Sequence, residues 1–242
     1  VNRSRVVRLA AGAVAVLAVV GLVAVLYATR QGDDDTRTAG RDGGDGGGQS
    51  DQADDGDGGW HGALVTDPAP RPEFTLTDTA GRPYDFAQET AGRLTLLFFG
   101  YTSCPDVCPV HMATLAAALE RPGVPQPVVV FVTTDPARDT PDHLRDWLDN
   151  FDGDFVGLTG TQDQIQQAEA AAMVEPSLTV DTDGVALEAP PTDGQDYEIG
   201  HAAQIIAYTS DDLTHIVYPF GIQRDDWTAD LPRLADGWPA DP

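Results

Sequence analysis

The hydrophobic positions of this chain fall into a few continuous runs separated by polar, glycine- and proline-rich stretches. Residues 94–99 and 128–132 are apolar almost without interruption, the pattern of strands buried on both faces in a parallel sheet. Residues 74–78 predict an entry strand ending in a turn at Ala80-Gly81, and residues 155–158 a third short central strand. Helical spacing fills the intervals. Residues 109–119 place Val110, Leu115 and Leu119 toward one side, and Thr140-Pro141 opens a second helix with a hydroxyl cap and a proline in its first turn. That helix carries Leu144, Trp147, Leu148 and Phe151 at helical spacing. A third runs from a cap at Thr161 or Asp163 to about Met173, and a closing helix spans residues 224–235. Thr179-Val180 and residues 185–187 flank the turn at 181–184 as a hairpin, while residues 203–208 and 214–218 form a second antiparallel pair. Strands alternating with helices, then an antiparallel pair and a helix, predict an α/β fold with a mixed sheet flanked by helices.

Two N-terminal stretches precede this domain. Residues 9–28 are an unbroken run of alanine, valine, leucine and glycine with Tyr27 near the end, about 30 Å long as a helix and matched to a bilayer core. Arg3, Arg5 and Arg8 come before it, and Asp33, Asp34 and Asp35 follow Arg30. The positive-inside rule then predicts a single-pass anchor with its N-terminus in the cytoplasm and everything beyond it on the extracytoplasmic side. A cleaved signal peptide is the competing reading, disfavoured by the length of the span and the lack of a small-x-small cleavage site. Residues 31–59 are glycine, aspartate, serine and glutamine with almost nothing apolar, so they predict a disordered tether that self-repulsion keeps extended. The expected organisation is an anchor over 1–30, a tether over 31–59 and a folded domain over 60–242.

Charge and cysteine content narrow the function. A formal net charge of −25, with 14 basic residues that are all arginine, argues against nucleic-acid binding, which needs basic surface. The two cysteines, Cys104 and Cys108, cannot build a disulfide framework, and a crosslink over so short a loop removes little unfolded-state entropy. They follow the buried run at 94–99, where a turn opens into a helix. On the first turn of that helix they would lie i, i+4 on one face, in the positive end of the helix field that favours thiolate. Two such sulfurs can hold a soft metal or exchange a disulfide.

Two ligands are few for a metal, and five histidines compete to be the third. His61 stands at the tether boundary as a solvated surface residue. His111 is on the cysteine helix but deeper along it. His143 faces water from the next helix, and His215 is a strand residue. His201 follows an irregular acidic, proline-rich loop and immediately precedes an apolar strand, so it can approach or leave a metal without unfolding the core.

The run Phe98-Phe99-Gly100-Tyr101-Thr102-Ser103-Cys104-Pro105-Asp106-Val107-Cys108-Pro109 closely resembles the signature of the Sco/SenC family. The resemblance continues through Thr133-Thr134-Asp135-Pro136-Ala137-Arg138-Asp139-Thr140-Pro141, through residues 155–160, and on to residues 197–201. It implies a membrane-anchored copper protein of cytochrome c oxidase assembly with a thioredoxin-like fold bearing an extra hairpin, which residues 179–187 fit. It further implies copper, as Cu(I), Cu(II) or both, on Cys104, Cys108 and His201, delivered to the binuclear copper centre of the oxidase subunit that is its partner. The sequence departs from the family where Gly200 and Ala202 bracket His201 in place of a more polar setting. The rival reading is a thiol-disulfide reductase that keeps the oxidase's copper-ligand cysteines reduced, with Cys104 and Cys108 as its redox pair. Three further residues are candidates to act beside the ligands. Asp106 either faces a partner or steadies the helix N-terminus. Asp135 and Arg138 share the sheet edge with the dithiol, and Arg138 is either a cation near the thiolates or a clasp to Asp139 or Asp142.

Overall fold

A computed structural model describes residues 59–191 and 196–239. The expected anchor and the expected tether up to residue 58 lie outside the described residues, and among those described no helix is long and apolar enough to cross a membrane.

The two continuous apolar runs become the strands β4 (Thr95–Gly100) and β5 (Val128–Thr133), every residue of which is buried. They pair in parallel, and β5 pairs in parallel with β6 (Val156–Thr159). Burial on both faces has a simple cause: Leu96 and Phe98 point into one apolar cluster, Leu97 and Phe99 into the other. The remaining strands are β1 (Ala63–Pro70), β2 (Thr75–Asp78), β3 (Pro83–Asp85), β9 (Ile205–Tyr208) and β10 (Leu213–Tyr218). All add antiparallel, giving a sheet in the order β1-β10-β9-β4-β5-β6-β2-β3.

Helices close both faces. The first core cluster takes side chains from α2 (Val107–Leu119), α3 (Pro141–Leu148) and α5 (Arg224–Ala235); the second takes them from α1 (Phe86–Thr90) and α4 (Gln162–Ala171). The predicted caps form. Thr140 accepts from the His143 amide with Pro141 in the first turn, and Thr161, not Asp163, caps α4 in a reciprocal box with Gln164.

Three expectations are corrected. The helix after β4 begins at Val107, so Cys104 lies in the turn ahead of it and the two thiols are not an i, i+4 helix pair. The expected hairpin over 179–187 is only partly a ladder: β7 (Leu178–Asp181) makes one bridge, Val180 to Ala186, and its continuous partner is β8 (Tyr197–Gly200). The helix carrying Leu144 ends at Leu148, before Phe151. His61 is exposed, as expected, yet it has a partner. Its Nδ1 is 2.9 Å from Asp230 Oδ1 and its amide donates to Asp230 Oδ2, tying the start of the domain to α5.

That pair predicts a pH dependence. The Asp230 hydrogen bond raises the His61 pKa above 6.5, against the opposing effect of burial. A raised histidine contributes stability that is complete below the unfolded value and fades as pH climbs through the folded one. The increment should stay under about 1 kcal/mol, because the ring remains 40% exposed and solvent screens the pair. Melting His61→Gln beside the parent at pH 5.5 and pH 8.5 should show a deficit at the lower pH that shrinks at the higher; equal deficits would contradict it.

Candidate metal centre

Cys104 and Cys108 stand at the C-terminal edge of the central strand because β4 ends in Gly100 and the chain must turn before α2. The Cys104 amide donates to the Tyr101 carbonyl at 3.2 Å, folding the sulfur back, and Asp106 caps the helix by accepting from the Val107 amide at 2.6 Å. Cys108, in the first turn of α2, is completely buried, whereas Cys104 keeps 7% exposure. His201 arrives from the far side, on the stretch between β8 and β9. Its Nε2 lies 3.6 Å from Cys108 Sγ. Two sulfurs and one ring nitrogen converge within 4.8 Å of one another, the one such group of three among the described residues.

The electrostatics follow from the crowding. Both thiols are free, and two sulfurs this close share a proton. The Cys108 thiol donating to Cys104 holds the Cys104 pKa far below the ordinary thiol range, despite burial, helped by His201 and the amides of Cys108 and Asp106. The same sharing, with burial and the Cys104 and Asp139 charges, drives Cys108 upward. The result is a thiolate at Cys104 beside a thiol at Cys108. His201 Nδ1 is 3.0 Å from the Ala202 carbonyl, which can only accept, so Nδ1 carries a proton. In the neutral ring the Nε2 lone pair is then left for a metal.

The donor set fits a soft ion: thiolate and imidazole bonds of about 2.0–2.3 Å put ligand atoms roughly 3.5–4 Å apart around one centre, close to the spread found here.

The other candidates are placed less directly. Of the two roles foreseen for it, Asp106 fills the second, capping α2, and its Oδ1 stands 3.8 Å from Cys104 Sγ. Arg138 clasps Asp135, and neither Asp139 nor Asp142. Its Nη1 reaches the Tyr197 carbonyl at 3.1 Å and its guanidinium stacks 3.8 Å from the Tyr197 ring centre, while the Tyr197 hydroxyl donates to Asp135 at 2.9 Å. Asp135 and Arg138 thus fasten the start of β8, the strand leading to His201. His111 is buried with Nε2 on the Ala203 carbonyl, outside the converging group. His143 does not simply face water: its Nε2 is 3.0 Å from Thr102 Oγ1, which donates its own proton to the buried Asp139. His215 is the strand residue expected, held by Asp211 and stacked on Trp238.

Sequence reasoning missed Tyr197, Thr102, Asp139 and Glu169. Glu169 left a signal: with Ile165 and Ala168 it repeats on the buried face of α4, where an acid demands a partner, and it binds the Ser177 amide and hydroxyl.

A mixed sheet flanked by helices, with a cysteine pair after its central strand, is the thioredoxin-like arrangement. The SCO1/SenC family matches residues 65–236, and the chain belongs to that family. It is 33% identical over 174 residues to a Stutzerimonas stutzeri protein named for copper binding, covering 68% of this chain and 76% of that one. Matches to mitochondrial and rickettsial SCO2 proteins span between 32% and 50% of those proteins. Among solved structures, copper-bound ScoI of Bradyrhizobium japonicum is 30% identical with a TM-score of 0.57, covering 69% of this chain and 99% of that one. A more distant neighbour, BsSco, is 19% identical with a TM-score of 0.51, covering 73% of this chain and 100% of that one. It is described through a disulfide switch and as a member of the Sco family of cytochrome c oxidase assembly proteins.

Proposed function

We propose that Cys104, Cys108 and His201 take up one copper ion, and that the protein serves cytochrome c oxidase assembly by carrying it to the oxidase's binuclear copper centre. The observation that carries this reading is the convergence of two sulfurs and an imidazole nitrogen from stretches of the chain 93 residues apart. Family membership and a copper-bound relative support the choice of metal. The thiolate at Cys104 supplies a ready ligand, and Cys108 loses its proton as the ion enters. On the sequence reading of residues 9–28 as an anchor, the domain works on the extracytoplasmic face of the membrane, within reach of an oxidase subunit. Titrating Cu(I) into the purified reduced chain should give one copper per chain that survives a modest chelator. His201→Ala should lower affinity while X-ray absorption shows nitrogen lost from the coordination shell; a parent chain that retains no copper overturns the reading.

A second reading is favoured by the unequal thiols. The Cys104 thiolate can attack a disulfide in the oxidase, giving a mixed disulfide and one free thiolate. Cys108 then displaces the second thiolate, and its proton passes to it. The substrate gains two electrons and Cys104–Cys108 becomes the disulfide. A strongly reducing couple with only weak copper binding would select this reading.

A further inference from the structure

His201 sits in residues 201–204, which have no regular structure and join Gly200 at the end of β8 to Ile205 at the start of β9. On the β8 side the segment is held by the ladder pairing Gly200 with Leu178. On the β9 side, inside the segment, the Ala203 carbonyl is bound by a side chain: His111 Nε2 lies 2.8 Å away.

His111 is built to hold that carbonyl still. It is 2% exposed, with its ring centre 5.2 Å from that of Phe98 and 5.5 Å from that of Phe220. A carbonyl only accepts, so Nε2 is the protonated nitrogen. Burial lowers the His111 pKa, which keeps the ring neutral with a single proton to give. The residue also stands on α2, three positions after Cys108. One helix therefore presents the buried sulfur and, through one hydrogen bond, grips the segment carrying the nitrogen that meets it. Phe98 joins the two, because its ring packs against both His111 and His201.

We propose that His111 is a positioning residue for the metal centre: by donating to the Ala203 carbonyl it fixes the His201 segment against α2 and sets where the third ligand stands. The proposal rests on the copper reading for its consequence at the metal, while the anchoring itself is independent of copper.

The test uses His111→Phe, which keeps a ring between Phe98 and Phe220 but has no donor, and His111→Gln, whose amide nitrogen reaches about as far. In the metal-free reduced chain, His111→Phe should speed amide exchange in residues 202–205 about tenfold, the scale of one lost hydrogen bond, with β5 unchanged. Copper affinity should fall about tenfold in the parent background and not at all when His201→Ala is already present, since removing the ligand removes what His111 positions. His111→Gln should restore both. Equal affinity losses in the two backgrounds would place the effect on the fold or the sulfurs, and unchanged exchange would remove the anchor; either overturns the proposal. Should His111→Phe not fold, His111→Leu takes its place in the same cycle. If the parent holds no copper, the copper reading fails, and the exchange comparison alone still decides whether His111 anchors the segment.

Discussion

Cys108→Ser is expected to abolish useful copper retention by the reduced chain, weakening affinity at least about a thousandfold, roughly 4 kcal/mol. The substitution keeps shape but replaces a soft sulfur with a hydroxyl that does not ionise near neutrality and is a poor partner for a soft ion. It also breaks the shared proton, because Cys104 loses the thiol that lowers its pKa most. The fold should survive, since serine is close to cysteine in size, at a cost of about 1 kcal/mol for a hydroxyl in this fully buried position. Chelator competition, with circular dichroism to confirm folding, checks both halves. A folded variant that holds copper within tenfold of the parent would show that Cys108 is not a ligand.

Gly100→Ala is expected to damage stability and site together. A Cβ at this position would stand 2.8 Å from Cys108 Sγ, 3.0 Å from Phe98 and 3.1 Å from Phe131. The backbone cannot retreat easily, because the Gly100 carbonyl accepts from the Thr134 amide at 2.7 Å and from its hydroxyl at 3.2 Å. Overpacking of this kind costs about 2 kcal/mol, or roughly 4–8 °C in melting temperature for a domain of this size. The atom with most freedom to yield is the sulfur, so copper affinity should drop as well. A melting temperature within 1 °C of the parent, with affinity intact, would refute the steric argument (threshold set by the expected shift of about 4 °C or more).

What was legible in the sequence is what burial imposes on continuous runs. β4 and β5 announced themselves because both faces are covered, and the capped helices because Thr140 and Thr161 stand where a hydroxyl is needed. β1 was not legible: it is an edge strand, mostly exposed and carrying Pro68 and Pro70, so no alternation marks it. The hairpin was misjudged because the turn at Asp181 to Gly184 is a sound local signal. The longer ladder to Tyr197–Gly200 is a tertiary pairing that no turn residue encodes. The sulfurs could be found from their spacing after a buried run. The third ligand was singled out by its place between an irregular loop and an apolar strand and then named by family resemblance, since a loop histidine gives no sign of where its loop will fold. Likewise Asp135 and Arg138 were expected near the sulfurs from their sheet edge, yet it is Tyr197, to which the sequence assigned no role, that engages them.

The converging side chains come from stretches 93 residues apart, Cys108 on an early helix and His201 beyond a late hairpin. A partly folded chain therefore owns at most two of the three donors. Occupancy by an ion would weight the equilibrium toward the finished form, by about 2.7 kcal/mol when free ion exceeds its dissociation constant a hundredfold. Metal uptake would thus double as quality control: a molecule in which the His201 stretch has not docked has nowhere complete to receive the ion.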